Sequence, residues 1–275
     1  MKKITSLLLA LLMLVFCFAA CSGETNSTDF TYKPENAKAE NGKIVIGLDD
    51  TFAPMGFRDE SGNLVGFDID LAMGVADVLE CEVTFKPIDW DSKELLLENG
   101  KIDCVWNGMS ATEERQESMA LTNKYLNNKI IIMVKKGNDV KSVEELASLN
   151  IGTQTASAAL ETMEAHEAYD SFKDKIQTFD TYDEVIMALE AGRIDCMVVD
   201  QVLGEYKNAK SGQPYDVTSF DFGDDFYAIG CKKGNTELAD KINGAIKSLI
   251  DSGRAAEISE NWFGKNIVIF EDYAD

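Results

Sequence analysis

The segment NGMSATEER, which ends at Arg115, combines residue types that can hold an anion. It follows an apolar run that ends at Trp106, and either Ser110, with the glutamate three residues on, or Thr112 alone can cap a helix that begins here. Arg115 then lies in the first turn, where the helix dipole disfavours a cation unless an anion is bound nearby. Because a guanidinium grips a carboxylate with two parallel hydrogen bonds, the segment indicates a carboxylate site. The alternative is a solvated Arg115 beside two glutamates.

An acidic counterpart stands at the end of another apolar run, where the sequence MVV leads into Asp200. A carboxylate at the end of a buried strand can receive an ammonium group, although Asp200 could instead cap the helix that follows. Gln154 and Ser157 offer further polar groups at the mouth of the same predicted unit. These positions predict a second wall that faces the one carrying Arg115.

Two aromatic residues lie close to the polar positions. Phe52 comes just after Asp49 at the end of the first predicted strand, and Trp106 directly precedes the NGMSATEER segment. Each side chain can form the aromatic wall of a site or belong to the core, which is the commoner place for a single aromatic residue.

The elements that position these residues alternate between strands and helices. A β-branched run over Ile44 to Leu48 predicts a buried strand, and apolar residues at helical spacing after Asp68 predict a helix that this aspartate caps. Residues 82–85 and 102–106 predict two more strands, with a helix over 92–99 between them. The order strand, helix, strand, helix, strand indicates a parallel sheet.

A partial internal repeat predicts a second, similar lobe. The sequence LLENGKIDC, which ends at Cys104, recurs as ALEAGRIDC, which ends at Cys196, and each joins a helix end, a glycine and a buried strand. The sequence predicts two strands, at residues 129–135 and 227–233, that cross between the lobes and form a hinge. Two α/β lobes on a hinge can close on a small molecule that binds at the facing strand ends.

The two ends of the chain differ from this body. Lys2 and Lys3 precede an apolar run that ends at Ala20 and is too short to span about 30 Å of hydrocarbon, which predicts an export signal. The residues before Cys21 resemble the lipobox of bacterial lipoproteins, whose cysteine is acylated, and the alternative is a plain cysteine after an ordinary cleavage site. The predicted organisation is a lipoprotein signal peptide at 1–20, a flexible tether at 21–42, lobe 1 at 43–134 and 226–265, lobe 2 at 135–225, and a C-terminal tail at 266–275.

Composition disfavours several classes of protein. The chain has 26 Lys and Arg against 48 Asp and Glu, and its formal charge of −22 repels nucleic acids and anionic lipid surfaces. A single histidine, His166, and the lack of any Cys-x-x-Cys spacing give no support for a metal site. Cys104 and Cys196 lie in apolar runs and fit a core, whereas a bridge between Cys81 and Cys231 stays open.

Five motifs in order carry a resemblance to a known family: IVIGLDDTFAPMGF, GNLVGFDIDLA, GKIDCVWNGMSATEER, AGRIDCMVVD and LADKINGAIKSLIDSGRAAEISENWFG. Over about residues 43–265 the chain resembles the solute-binding proteins of family 3, the polar amino acid receptors of ABC importers. The resemblance implies a type II periplasmic-binding-protein fold, in which Arg115 binds the α-carboxylate and Asp200 the α-ammonium group of the ligand. It also implies ligand contacts from Asp49, Phe52, Asn107, Gly108, Ser110, Gln154 and Ser157, while Trp106 is a candidate from its position alone.

The chain departs from the family pattern at three positions. Met55 stands where the family usually has an aromatic residue, Asn107 where small residues are common, and Ala156 where glycine is frequent. These departures concern the choice of ligand side chain and not the grip on the amino acid backbone.

The function that the resemblance implies is that of a monomeric, lipid-anchored extracytoplasmic receptor. It would bind a free amino acid, use no cofactor or metal, and deliver the ligand to an ABC permease and its ATPase. Two alternatives on the same fold are an enzyme resembling cyclohexadienyl dehydratase and the extracellular half of a sensor, although no membrane span or signalling domain follows before Asp275. Sequence alone leaves the identity of the amino acid open.

Overall fold

The structure is a computed structural model that describes residues 29–273. The predicted signal peptide and the predicted lipidation site, Cys21, lie outside the described residues. Among residues 29–273, no helix combines the length and the apolar character needed to cross a bilayer.

The first half of the described chain builds one sheet, a small hairpin sheet and three helices. These elements are β1 (Phe30–Tyr32), β2 (Lys43–Leu48), β3 (Thr51–Phe52), β4 (Gly56–Arg58), β5 (Leu64–Val65), α1 (Phe67–Leu79), β6 (Glu82–Pro87), α2 (Lys93–Glu98), β7 (Cys104–Val105), α3 (Glu113–Ser118) and β8 (Met119–Leu121). Strand β2 pairs in parallel with both β6 and β7, which confirms the parallel arrangement expected from the order of elements.

The remainder of the described chain builds a second sheet and then returns to the first. These elements are β9 (Lys124–Lys135), α4 (Val143–Leu146), β10 (Ile151–Gln154), α5 (Ala158–Ala165), α6 (Tyr169–Phe172), β11 (Ile176–Phe179), α7 (Tyr182–Glu190), β12 (Cys196–Asp200), α8 (Gln201–Lys210), β13 (Tyr215–Val217), β14 (Gly223–Tyr227), β15 (Gly230–Lys232), α9 (Thr236–Asp251), α10 (Arg254–Phe263) and β16 (Val268–Glu271).

The two large sheets each have a mixed topology. The first has the strand order β1-β6-β2-β7-β15-β8, and the second has the order β11-β10-β12-β9-β13, with β14 and β16 also paired to β9. Helix α9 buries Ile242, Ala245, Ile246 and Leu249, which recur at helical spacing, and it packs with α1 in the core of the first sheet. This packing confirms that the chain returns to the first lobe after β15.

The crossing between the sheets lies earlier than the sequence indicated. Strand β9 begins at Lys124 rather than at residue 129, and its residues 126–130 pair with β14. The two crossings are joined where the Thr122 N–H donates to the Ile229 carbonyl and the Ile229 N–H donates to the Thr122 hydroxyl. The boundary placed at residue 134 falls inside a strand of the second sheet, where Val134 pairs with Cys196 and Asp216.

Helix α1 begins earlier than expected and is not capped by Asp68. Its N-cap is Gly66, with φ 147, where an added Cβ would lie 2.1 Å from the Met55 carbonyl oxygen. Only glycine fits such a close approach of two backbones. Asp68 is instead buried and accepts hydrogen bonds from the Gly108 N–H at 2.7 Å and from the Tyr125 hydroxyl.

Both predicted terminal segments are more ordered than the sequence suggested. In the segment expected to be a tether, Phe30 stacks on Phe85 with ring centroids 5.8 Å apart, and the Tyr32 hydroxyl donates to Asp77 at 2.7 Å. In the expected tail, β16 pairs with β9. These interpretations were wrong for residues 30–32 and 268–271, because strands of three or four residues are too short to show a clear alternation.

The described cysteines are all free and buried. Cys104 and Cys196 lie in the core as expected. Cys231 stands directly opposite Cys104 in the antiparallel pairing of β15 with β7. The possible bridge between Cys81 and Cys231 is therefore absent from the structure.

Candidate functional site

The candidate site lies between the two sheets, at the carboxyl ends of strands that run toward it. Asp49 follows β2 and Asn107 comes just after β7 in the first lobe, whereas Gln154 and Asp200 end β10 and β12 in the second. All four side chains are buried. Strand ends of this kind are the usual ligand-binding edge of α/β sheets.

Arg115 is 1% exposed and makes four hydrogen bonds to protein acceptors. Its Nη1 donates to the Ser110 carbonyl at 3.2 Å, and its Nη2 donates to the Ala156 carbonyl at 3.3 Å. Its Nε and Nη2 both donate to Glu161 Oε1, at 3.2 and 2.7 Å. Thr112 is the N-cap of α3 and accepts from the Arg115 backbone N–H, which places Arg115 in the first turn as predicted.

Asp200 is buried on the opposite wall. Its Oδ1 accepts from Asn128 Nδ2 at 2.8 Å and from the Tyr227 hydroxyl at 3.0 Å. The pKa of Asp200 is raised to about 7, first by burial and then by the negative charge of Asp225, while the Tyr227 hydrogen bond and the positive charge of Arg115 act in the other direction. The side chain makes no cap hydrogen bond to α8, which argues against the capping alternative.

A continuous chain of hydrogen bonds joins the two charged groups. Arg115 bonds to the Ser110 carbonyl, and the Ser110 hydroxyl donates to Asp225 Oδ2 at 2.6 Å. Asn128 Nδ2 donates to the same Asp225 oxygen at 2.7 Å and also to Asp200. One hydrogen-bond network thus links Arg115 to Asp200, and the prediction that they form the two walls of one ligand site stays a prediction.

A second cross-lobe contact joins Asp49 to Gln154. Gln154 Nε2 donates to Asp49 Oδ2 at 2.8 Å, while Asp49 Oδ1 accepts from the backbone and hydroxyl of Thr51. Asn107 accepts from the Asp49 backbone N–H through Oδ1, and its buried Nδ2 has no partner among the described residues. Burial raises the pKa of Asp49, although its hydrogen bonds act to lower it.

The remaining candidates line the same region. Phe52 meets Tyr182 of the second lobe edge to face, with ring centroids 6.0 Å apart. Ser157 caps α5, its hydroxyl accepting from the Leu160 N–H. Gly108 has φ 55, and an added Cβ would lie 2.8 Å from the Phe52 ring, so a side chain there would displace the aromatic wall.

Trp106 is an exception among the predicted site residues. Its ring packs in the core of the first sheet and meets Tyr125 edge to face at 6.5 Å. Cys104, two residues earlier in β7, belongs to the same apolar cluster. This position fits the core alternative for Trp106, and its place in the cleft stays a prediction.

Trp90 is an aromatic residue of the cleft that was not predicted from the sequence. Its Nε1 donates to the Ala156 carbonyl at 3.1 Å, and the Arg115 guanidinium lies 5.9 Å from its ring centroid. Lys93 is also buried and donates to the same carbonyl at 3.0 Å. Trp90 comes shortly after β6, so the strand-end rule that selected Asp49 would have selected it as well.

Three polar residues of the network had no comparable signal in the sequence. Asp225 lies within β14, Asn128 within β9, and Glu161 in the first turn of α5. Each reaches the site from the side of an element rather than from a strand end, so strand-end reasoning does not select them.

A cavity of about 280 Å³ opens beside the Asp49 to Gln154 contact. Both lobes contribute to its lining, which includes Trp90 and five aspartates: Asp49, Asp50, Asp89, Asp91 and Asp180. Within residues 29–273, no lysine or arginine contributes to this lining. A cleft lined by charges of one sign concentrates ligands of the opposite sign.

His166 lies outside the site just described. It is half-buried, and its ring centroid lies 5.6 Å from Phe222 and 6.3 Å from Phe172 in the second lobe. Its Nδ1 accepts from the Ala168 N–H. Histidine is the commonest general base in enzymes, and the His166 side chain lies in an aromatic cluster outside the cleft.

Comparison with known proteins assigns the family. A model of the bacterial extracellular solute-binding proteins, family 3, matches residues 44–265. The chain belongs to this family. The glutamine-binding protein GlnH of a Bacillus subtilis ABC transporter is 31% identical to this solute-binding protein over 270 residues, which is 95% of this chain and 97% of GlnH.

Solved structures agree with this assignment. An ABC uptake transporter substrate-binding protein from Streptococcus pneumoniae with bound histidine is 35% identical, with a TM-score of 0.79, covering 84% of this chain and 95% of that one. The arginine-, lysine-, histidine-binding protein ArtJ from Geobacillus stearothermophilus is 31% identical, with a TM-score of 0.74 and coverage of 82% and 96%. The fold is that of the type II periplasmic-binding proteins, as expected.

Burial of Asp200 makes the stability of the solute-binding protein depend on pH. Because its folded pKa of about 7 exceeds the ordinary aspartate value of 3.8, the folded protein between about pH 4 and pH 7 holds a proton that the unfolded chain has released. The free energy of unfolding should therefore fall as pH rises from 5 to 8 without added amino acid. Asp68, also with a pKa raised to about 7 by burial, should contribute in the same direction.

Urea unfolding of the wild type and of Asp200→Asn at pH 5 and pH 8 tests this expectation. The variant should lose part of the difference between the two pH values, because an asparagine does not titrate. Asp68→Asn provides the matched comparison at the second buried carboxylate. The expectation is contradicted if the free energy of unfolding changes between pH 5 and pH 8 by as much in Asp200→Asn as in the wild type. Asp200 would then have the same pKa in the folded and the unfolded chain.

Proposed function

We propose that this protein is a lipid-anchored extracytoplasmic receptor that binds a free amino acid between its lobes and delivers it to an ABC permease and its ATPase. The placement of Arg115 and Asp200 carries the proposal. They are buried groups of opposite charge, they belong to different lobes, and one hydrogen-bond chain joins them. An amino acid zwitterion has the complementary pair of charges at its α-carbon.

The proposed roles follow from the chemistry of each wall. Arg115 receives the α-carboxylate, and Asp200 receives the α-ammonium group, whose charge favours the ionised aspartate. The aromatic wall is formed by Phe52 together with Trp90. The polar surroundings are supplied by Asn107, Gly108 and Ser110 from the first lobe, by Gln154 and Ser157 from the second, and by Asp49, which faces the ligand side chain.

The cavity beside Asp49 favours a ligand with a basic side chain. Its five aspartates would attract a guanidinium, an ammonium or an imidazolium group. Among the related proteins, ArtJ is named for arginine, lysine and histidine, the Streptococcus pneumoniae structure contains bound histidine, and GlnH is named for glutamine. We therefore place basic amino acids first and glutamine second among the ligands to test.

Isothermal titration calorimetry with the twenty L-amino acids tests the proposed binding function. At least one basic or amide amino acid should bind the wild type, and Arg115→Ala should weaken that binding by about thirtyfold or more, since truncating one partner of a buried charge pair costs about 2–5 kcal/mol. Arg193→Ala is the control, because Arg193 is exposed on the second lobe and its loss should change the dissociation constant less than about twofold.

A circular dichroism spectrum of Arg115→Ala must match that of the wild type, so that lost binding reports the site and not the fold. Equal affinity of wild type and Arg115→Ala would contradict the role given to Arg115. Failure of the wild type to bind any of the twenty amino acids would contradict the proposed function.

Membrane attachment through Cys21 is a separate part of the proposal and rests on the sequence before that residue. In a bacterial host, wild-type protein should fractionate with membranes and incorporate a labelled fatty acid. Cys21→Ala should incorporate no label and leave the membrane fraction, because a lipid chain is then absent. Label in the variant equal to that in the wild type would contradict lipidation at this cysteine.

A further inference from the structure

The Arg115 guanidinium has almost no hydrogen-bonding capacity left for a ligand in the described arrangement. A guanidinium carries five N–H donors, and four hydrogen bonds from Arg115 already go to Glu161, Ala156 and Ser110. The remaining N–H belongs to Nη1. A ligand carboxylate that takes two parallel bonds, the geometry that makes arginine a strong carboxylate ligand, must therefore replace one of these acceptors.

Glu161 is the acceptor that chemically resembles a ligand carboxylate. Its Oε1 accepts hydrogen bonds from both Nε and Nη2 of Arg115, and its Oε2 accepts from the Thr112 hydroxyl at 2.7 Å. Glu161 reaches from α5 of the second lobe to these partners on the first. Its side chain is 17% exposed, against 1% for Arg115, so it can turn toward solvent while Arg115 stays in place.

The segment before Glu161 holds it against the first lobe. Ala156 has a left-handed backbone, with φ 52, and its carbonyl accepts from Trp90, Lys93 and Arg115, all of the first lobe. Ser157 then caps α5, whose first turn favours an acidic residue such as Glu161 through the helix dipole. One short connection therefore presents both a carbonyl and a carboxylate to Arg115.

We propose that Glu161 is an internal competitor of the ligand, a carboxylate of the protein that occupies the Arg115 guanidinium and must leave it before the amino acid carboxylate can bind with two hydrogen bonds. This inference rests on the proposed amino acid-binding function. A protein whose binding-competent form is only fractionally populated shows a weaker apparent affinity by that fraction. Glu161 thus sets the ligand affinity without touching the ligand, and it also ties the two lobes together.

Glu161→Gln separates competition from a purely structural role. The amide keeps the size of the side chain and can still accept from Thr112, but it removes the negative charge that holds Arg115. L-arginine, L-histidine and L-glutamine should each be titrated calorimetrically into the wild type and the variant. We expect the dissociation constant of any of these that binds to fall by about tenfold in Glu161→Gln.

Glu164→Gln is the matched control. Glu164 lies one turn later in α5, is exposed, and carries the same charge as Glu161. Its replacement should change the dissociation constant less than about twofold. The radius of gyration from small-angle X-ray scattering, measured without amino acid, should rise in Glu161→Gln and not in Glu164→Gln, because only the first loses a contact between the lobes.

The outcomes distinguish this inference from the function on which it rests. Tighter binding together with a larger radius of gyration in Glu161→Gln supports the competitor role. Binding by the wild type with equal or weaker affinity in Glu161→Gln contradicts the competitor role and leaves the proposed function intact. Absence of binding by both proteins to all twenty L-amino acids contradicts both.

Discussion

The structure depends on the need of a buried guanidinium for negative partners. Arg115 is almost fully removed from solvent, and an isolated charge in such a place is costly unless it is paired and hydrogen-bonded. Its partners come from both lobes, with Ser110 on one side and Ala156 and Glu161 on the other. The requirement for an anion therefore also becomes an attraction between the lobes.

The opposite wall has the complementary problem. Asp200 and Asp225 are two carboxylates that share the Asn128 amide, and burial and mutual repulsion raise the pKa of Asp200. A cation placed between them would relieve both effects, whereas the charge of Arg115 does so only in part. A ligand that offers a carboxylate to Arg115 in place of Glu161 and an ammonium group to Asp200 and Asp225 would suit both walls, which is why we propose a zwitterion.

The fold and most of the candidate site followed from the sequence because both rest on local patterns. Apolar runs that end in polar residues located Asp49, Asn107, Gln154 and Asp200, and the structure places all four at strand ends facing one cleft. The family assignment rests on the same motifs and matches the expectation. The boundary within β9 was missed because its first residues, KYLNN, are polar except for two that tertiary packing buries.

Contacts that depend on the relative placement of the lobes could not be read from sequence. Glu161 sits in a helix whose acidic first turn has an ordinary explanation in the helix dipole, and only the structure shows its reach to Arg115. Trp106 shows the converse case, since its position next to the polar loop suggested a site residue, whereas the structure packs its ring in an apolar core cluster. In both cases the direction of a side chain, and not its neighbours in the sequence, decides its role.

The central claim is that separate lobes hold the two charged ends of one amino acid. The most direct test takes the amino acid that binds best and measures calorimetrically its analogues without the α-carboxylate and without the α-amino group, on the wild type, Arg115→Ala and Asp200→Asn. The account predicts that removing the carboxylate weakens binding to the wild type but costs little more on Arg115→Ala, and that removing the amino group behaves likewise with Asp200→Asn. Losses that simply add, with each analogue weakened equally on all three proteins, would contradict it.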